Sequence, residues 1–231
     1  MSSNKQTTGY FSVDIERTGR EITDKTFAIG WAFSDHTLSD ITKGNVCVGL
    51  NITIPDKIED VDFMRSWWSH HHYESRCFEE FWSKNLSIFK TLQDPTKVNL
   101  VTSEYDMAKA LNNALLEAET KYDTVVIIVD NISFDTTWCN MLLMKHGFNN
   151  LSYTRANKYR WGYELDSYTL GSFGFSPEVE WSEYVNAMKL HIDPIFPNIE
   201  IIHDHNPEND AMSILVKFIR VVNYNLQKKV E

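Results

Sequence analysis

The chain has 231 residues, of which 42% are hydrophobic and 23% charged, as expected for a globular domain with a sizeable core. Its 32 acidic and 22 basic side chains give a net charge of −10, which argues against a coat-like nucleic-acid binder that neutralises many phosphates at once. The same charge leaves room for an enzyme that holds only a strand end.

The sequence predicts one domain, residues 1–231, in a cytoplasmic protein. No repeat, low-complexity tract or Pro/Gly-rich linker divides the chain. The longest aliphatic run, residues 125–129, is too short for a transmembrane helix, and residues 1–8 lack the apolar stretch of a secretory signal. Three widely spaced cysteines predict neither a disulfide framework nor a cysteine zinc site. We therefore expect no membrane association, and a homodimer stays open.

The N-terminal part predicts an antiparallel meander followed by an aromatic helical segment. Three runs separated by turn residues are typical of strands: residues 10–16, 27–33 and 45–54. Residues 60–92 are rich in aromatic side chains and mostly helical in character. Ser103 then caps a predicted helix that extends to Lys121.

The C-terminal part predicts a buried strand between helices. Residues 125–129 are continuously apolar, as in a strand covered on both faces, and a helix follows over residues 133–146. Residues 151–180 are predicted to be loop-rich and residues 199–203 a short strand, while Asn206-Pro207 begins a last helix. This order predicts an α/β fold whose mixed sheet, an antiparallel meander plus parallel strands, is flanked by helices.

Four acidic residues and a histidine fall where a functional site is favoured. Asp14 and Glu16 are two apart on the first predicted strand, so both project from one face. Asp135 follows the buried strand, at a position where mixed α/β sheets bind ligands. His205 precedes the last helix, and Asp210 lies one turn into it. Each also has an ordinary explanation: solvated acids on a strand, an acid favoured by a helix dipole, or a histidine in a surface loop.

Taken together, the motifs D-x-E, N-x-x-F-D and H-x-x-x-x-D-A occur in this order and resemble the DEDDh branch of the DEDD 3′–5′ exonucleases. Residues 63–68 are loosely similar to some phage members. The resemblance implies a ribonuclease-H-like fold, two divalent cations (Mg²⁺ or Mn²⁺) and His205 as general base. The implied metal ligands are Asp14, Glu16, Asp135 and Asp210. The implied reaction releases nucleoside 5′-monophosphates from the 3′ end of single-stranded DNA or RNA.

Further residues are candidates for substrate contacts. They are Arg17, Thr18, Asn131, Phe134, Trp68, Arg155, Lys158 and Arg160. The last three alternate with aromatic rings in residues 153–163, a combination of cations and stacking surfaces that single-strand binding uses. A hairpin or loop whose rings cover the core explains that segment equally well.

Two other classes of protein remain as alternatives. A catalytically idle, nuclease-like nucleic-acid-binding or partner module would need a broken ligand set, and all five positions are intact. An unrelated nucleotide-binding protein lacks support, because neither G-x-G-x-x-G nor G-x-x-x-x-G-K-[ST] occurs. Arg17, Asp130 and Pro207 depart from the usual family pattern, which leaves the preference between DNA and RNA open.

Overall fold

A mixed β-sheet forms the centre of the computed structural model, which describes residues 7–21, 24–52, 54–153, 160–176 and 178–229. The strands of this described part are β1 (Thr8–Arg17), β2 (Thr26–Ser34), β3 (Thr42–Val48), β4 (Leu100–Val101), β5 (Thr124–Val129) and β6 (Gly162–Glu164). Their order across the sheet is β4-β3-β2-β1-β5-β6. β1, β2 and β3 pair antiparallel, whereas β1–β5, β5–β6 and β3–β4 pair parallel. The predicted α/β class with a mixed sheet is confirmed.

Helices cover both faces of this sheet. They are α1 (Val61–His70), α2 (Ser75–Glu80), α3 (Leu86–Leu92), α4 (Glu104–Lys121), α5 (Thr137–Lys145), α6 (Leu165–Phe173), α7 (Trp181–Ala187) and α8 (Pro207–Lys228). Because side chains alternate along a strand, β1 contributes to two layers. Its residues Phe11, Val13 and Ile15 pack with α4 and α5, while Ser12 on the other face contacts α8. None of the helices among the described residues combines the length and apolar character needed to span a bilayer.

The aromatic segment builds a second core at one end of the sheet. The fully buried rings of Trp68, Trp82 and Phe89 pack against Phe27 of β2 and its neighbours. Trp82 also donates from Nε1 to the carbonyl of Arg17, at 3.0 Å. This hydrogen bond ties the helical segment to the last residue of β1, next to Glu16.

Several predicted elements differ in the structure. β3 begins at Thr42 and ends at Val48, instead of covering residues 45–54. Residues 199–203 do not form a strand, because the Ile202 amide and carbonyl bond to the Ser213 hydroxyl and not to another strand. The segment 151–180, predicted as loop-rich, contains β6 and α6. β6 has only three residues and lies at the sheet edge, so its pairing with β5 leaves little trace in the local sequence.

Candidate active site

The first carboxylates of the site lie side by side on β1. Asp14 and Glu16 project from the face that α8 covers, and Asp210 of α8 approaches them there. One carboxylate oxygen from each of these three residues lies within 4.8 Å of the others. Strand and helix together therefore form a group of acids that could hold a metal ion.

The close approach of α8 to the sheet depends on small residues. Gly30 of β2 pairs with Asp14, and a Cβ at Gly30 would lie 2.0 Å from the carbonyl carbon of Pro207. Glycine thus lets the first turn of α8 pack directly on the strand. Ser12 fixes the next turn, because its hydroxyl is 2.6 Å from the carbonyl of Ala211. Neither role was predicted, since each links positions far apart in sequence.

Asp135 reaches the site from a π-helical turn, residues Ile132–Thr136, that follows β5 and leads into α5. The side chain of Asn131 caps this turn by accepting the amides of Ser133 and Phe134, both at 3.1 Å. The Asn131 amide in turn donates to Oδ2 of Asp135, at 3.1 Å. Wide turns of this type are frequent at functional sites, and here the turn buries Asp135 to 4% exposure.

The electrostatics of the four acids show that the fold opposes their ionisation. The pKa of Asp14 and that of Glu16 are raised well above the usual value for such acids. Burial is the larger cause, and the negative charges of neighbouring acids are the second. Burial also raises the pKa of Asp135 to about 7, although backbone hydrogen bonds act against it. Among the described residues, no lysine or arginine forms an ion pair with these three carboxylates. A bound cation would supply the missing positive charge.

Two histidines lie on the loop that leads into α8. His205 has a left-handed backbone, with φ of 61°, and its ring centroid lies 4.6 Å from that of Phe81. His203 is exposed, and its Nδ1 is 3.3 Å from Oδ1 of Asp210. Burial raises the pKa of Asp210, and the charge of a protonated His203 acts against this rise. His205 was predicted as a site residue, whereas His203 was not, although the H-x-H spacing is visible in the sequence.

A cleft of about 220 Å³ opens beside Glu16, between α2 and the π-helical turn. Phe81 and Phe134 contribute its half-buried rings, and Arg20 and Arg76 contribute exposed cations. Phe134 was a predicted substrate residue, whereas the other three were not. Their positions depend on how α2 packs, which no local pattern in the sequence reveals.

Two predicted substrate residues, Arg17 and Thr18, are buried in the structure. Arg17 is 4% exposed, and its guanidinium donates to the carbonyls of Gly19 and Asp24 while lying 3.3 Å from the ring centroid of Trp138. Its desolvated position lowers the pKa to about 10. Thr18 is fully buried, and its hydroxyl accepts the Lys25 amide. Both residues therefore support the loop after β1, and Arg17 also lines the cleft beside Glu16.

Trp68 and Arg160 are likewise internal. Trp68 is 1% exposed and donates to the carbonyl of Glu74. Arg160 is 4% exposed; its guanidinium pairs with Glu119 and donates to the carbonyl of Leu151. Asn131 lies at the site, as the cap already described. Arg155 and Lys158 lie outside the described residues.

Comparison with known proteins gives a structural likeness and no sequence match. No protein-family model and no curated protein sequence matches this chain. Cell-death related nuclease 4 (CRN-4) has a TM-score of 0.50 at 11% identity, over 95% of this chain and 66% of that one. Exonuclease I in complex with the inhibitor BCBP has a TM-score of 0.49 at 10% identity. The metal-free form of the E. coli ExoI–ssDNA complex has a TM-score of 0.40 at 8% identity.

The chain spans about two fifths of the exonuclease I chains, and just under two thirds of CRN-4. At 11% identity, structural similarity shows only that the helices and strands are arranged alike. The similarity to CRN-4 extends over 95% of this chain. The sheet order and the flanking helices therefore establish a mixed α/β fold of the ribonuclease-H-like type.

Proposed function

We propose that this chain is a metal-dependent 3′–5′ exonuclease of the DEDDh type, which hydrolyses single-stranded DNA or RNA to nucleoside 5′-monophosphates. The observation that carries the proposal is the convergence of Asp14, Glu16 and Asp210 within 4.8 Å, with the buried Asp135 close enough to raise the pKa of Asp14. CRN-4, which shares the fold, is a nuclease by name. The 3′–5′ polarity rests on the motif resemblance.

The donor set fits two Mg²⁺ or Mn²⁺ ions. Four carboxylates offer only hard oxygen ligands, which these ions prefer, and their charge of −4 matches two divalent cations. No lysine or arginine of the described chain forms an ion pair with Asp14, Glu16 or Asp135, so bound ions would relieve the repulsion among the acids. In such sites the ions activate water and stabilise charge on the leaving oxygen.

His205 is the proposed general base. Its imidazole lies on the loop beside Asp210, where a ring nitrogen could accept the proton of an attacking water. The ring rests edge-on against Phe81 of the cleft. A nucleotide bound in the cleft would therefore place its phosphate between the carboxylates and this histidine.

The cleft beside Glu16 is the proposed seat of the terminal nucleotide. Phe81 and Phe134 provide rings on which a base can stack, and Arg20 and Arg76 provide cations for phosphates. A larger groove of about 1190 Å³ is lined by Asn131 and by the acids Asp130, Glu164 and Asp166. Acids also line the smaller cleft, namely Glu16, Glu74 and Glu80, but the exposed cations Arg20 and Arg76 accompany them there. No lysine or arginine is among the described residues that line the larger groove, so the smaller cleft is the better match for a polyanion.

The proposal is tested with 5′-labelled single-stranded DNA and RNA in Mg²⁺, Mn²⁺ or EDTA, alongside the Asp14→Asn variant. We expect a metal-dependent ladder that shortens from the 3′ end and is absent from the variant. Immediate release of a labelled mononucleotide would instead show the opposite polarity. No cleavage of either polymer by folded, metal-loaded protein would contradict the proposal and favour the idle binding module.

A further inference from the structure

A second group of metal ligands adjoins the acidic one and differs from it in chemistry. One ring nitrogen of His203, one of His205 and a carboxylate oxygen of Asp210 all lie within 4.8 Å of one another. His203 Nδ1 and Asp210 Oδ1 are 3.3 Å apart, about the spacing of two ligands on one tetrahedral Zn²⁺ with bonds of ~2.0–2.1 Å. The ring of His203 is exposed, which leaves it free to reorient.

The two groups share Asp210 but select different ions. Asp14, Glu16 and Asp210 offer oxygen only, which suits Mg²⁺ and Mn²⁺. His203, His205 and Asp210 offer two imidazoles and one carboxylate, a set preferred by Zn²⁺ and other late transition ions. An ion in the second group would occupy the lone pair of His205 and one oxygen of Asp210.

We propose that His203, His205 and Asp210 form a regulatory site for Zn²⁺, and that Zn²⁺ bound there stops hydrolysis. The inhibitory part rests on the proposed nuclease function, because it acts by withdrawing the general base and one metal ligand from that reaction. The binding part does not depend on the nuclease function. His203 is needed for Zn²⁺ and has no task in the proposed hydrolysis.

The other histidine cluster of the chain makes a natural comparison. His70 ends α1, and His71 and His72 follow it directly. The ring nitrogen of His71 is engaged with the carbonyl of Trp67, at 2.8 Å. Within the described part of the chain, a group of three ligands that includes histidine forms only around Asp210. A variant at His72 therefore controls for binding at this tract.

The experiment uses tag-free protein in millimolar Mg²⁺, with Zn²⁺ titrated by calorimetry and, in parallel, against cleavage of a labelled single strand. The wild type, His203→Asn and His72→Asn are compared, each relative to its own rate without Zn²⁺. Residues that only orient metal ligands already change affinity by ~10–100-fold, so loss of a direct ligand should weaken Zn²⁺ binding at least about tenfold. We expect this loss in His203→Asn alone, with an equal shift in the Zn²⁺ concentration for half-inhibition.

The outcomes separate the two proposals. Equal Zn²⁺ affinity in the wild type and His203→Asn, or a loss confined to His72→Asn, would overturn the zinc site while leaving the nuclease untouched. Zn²⁺ binding that needs His203, in a protein that cleaves neither DNA nor RNA, would support the site and refute the nuclease. Binding through His203 without any inhibition of cleavage would overturn the regulatory role.

Discussion

Asp135 shows most clearly that assembling the buried acids lowers the stability of the metal-free fold. Burial raises its pKa to about 7, and the pKa values of Asp14 and Glu16 are raised as well. An acid with a higher pKa in the folded chain than in the unfolded chain holds its proton more tightly when folded. In metal-free protein, the stability contributed by Asp135 is therefore present below about pH 4 and is lost as pH rises through about 7.

Asp135→Asn should remove the loss of stability that the metal-free protein undergoes as pH rises through about 7. Without metal at pH 8, we expect the variant to be more stable than the wild type by ~1–3 kcal/mol, and the gap to shrink toward pH 5. Urea unfolding in EDTA across this range measures it, with Asp56→Asn, an exposed acid, as the control. A variant less stable than the wild type at pH 8 would contradict the assigned pKa shift.

Gly30 is a second residue whose identity the site requires. A side chain there would collide with the backbone of Pro207 at the start of α8. We expect Gly30→Ala to lower the free energy of unfolding by ~1–3 kcal/mol through overpacking, and to weaken metal binding by displacing Asp210. Gly171→Ala is the matched control, because nothing lies within 4 Å of its added Cβ and alanine favours the helix. Equal stability of the two variants would contradict the proposed close packing of α8.

Among the elements, α1 and the end of α2 provide a comparison between residues proposed to contact substrate and residues that support the fold. Phe81 and Arg76 line the cleft, whereas Trp68 is buried in the aromatic core. We expect Arg76→Ala and Phe81→Ala to raise KM about tenfold or more, with Phe81→Ala losing ~1–3 kcal/mol of base stacking. Trp68→Phe should instead lower stability by ~1–2 kcal/mol, through its lost hydrogen bond, and leave KM unchanged. A KM effect at Trp68 without a stability effect would reverse these roles.

The elements that carry strong local patterns could be predicted from the sequence. The alternation in β1, the apolar run of β5 and the Asn-Pro start of α8 each determine an element and place an acid on it. β4 and β6 have two and three residues, so only their pairing in three dimensions defines them. Contacts between distant segments decide the rest. The sequence predicts that Arg17 contacts substrate. The backbone carbonyls that accept hydrogen bonds from its guanidinium become its neighbours only when the loop folds.

For the whole molecule, the net charge of −10 limits how substrate is held. The lining of the cleft beside Glu16 contains three arginines, of which Arg20 and Arg76 are exposed, while the guanidinium of Arg17 donates to backbone carbonyls. We therefore expect two phosphate contacts in this cleft. Each phosphate contact with a single strand contributes about −0.7 to the slope of log affinity against log salt, so two contacts give about −1.4. A strand with a non-hydrolysable 3′ linkage, titrated at several salt concentrations, measures the slope.

The same titration examines the segment that contains Arg155 and Lys158. The Arg155→Ala, Lys158→Ala double variant is compared with the wild type, because the sequence makes both residues candidates for phosphate contacts. A wild-type slope near −2.8, reduced to about −1.4 in the double variant, would show that this segment also holds phosphates and would contradict the two-contact estimate.

Hydrolysis by this chain should depend on metal ions bound by the converging carboxylates, and a Mn²⁺ titration measures both binding and reaction. Binding is followed by calorimetry and the rate of 3′-end cleavage is recorded at each Mn²⁺ concentration, for the wild type and Asp14→Asn. We predict two ions per wild-type chain and a rate that rises with their binding. The Asp14→Asn variant should keep its fold and lose both the binding of two Mn²⁺ ions and the cleavage that depends on it. Cleavage that persists in EDTA would show that hydrolysis does not depend on metal. A variant that binds as many ions as the wild type would show that Asp14 is not a metal ligand.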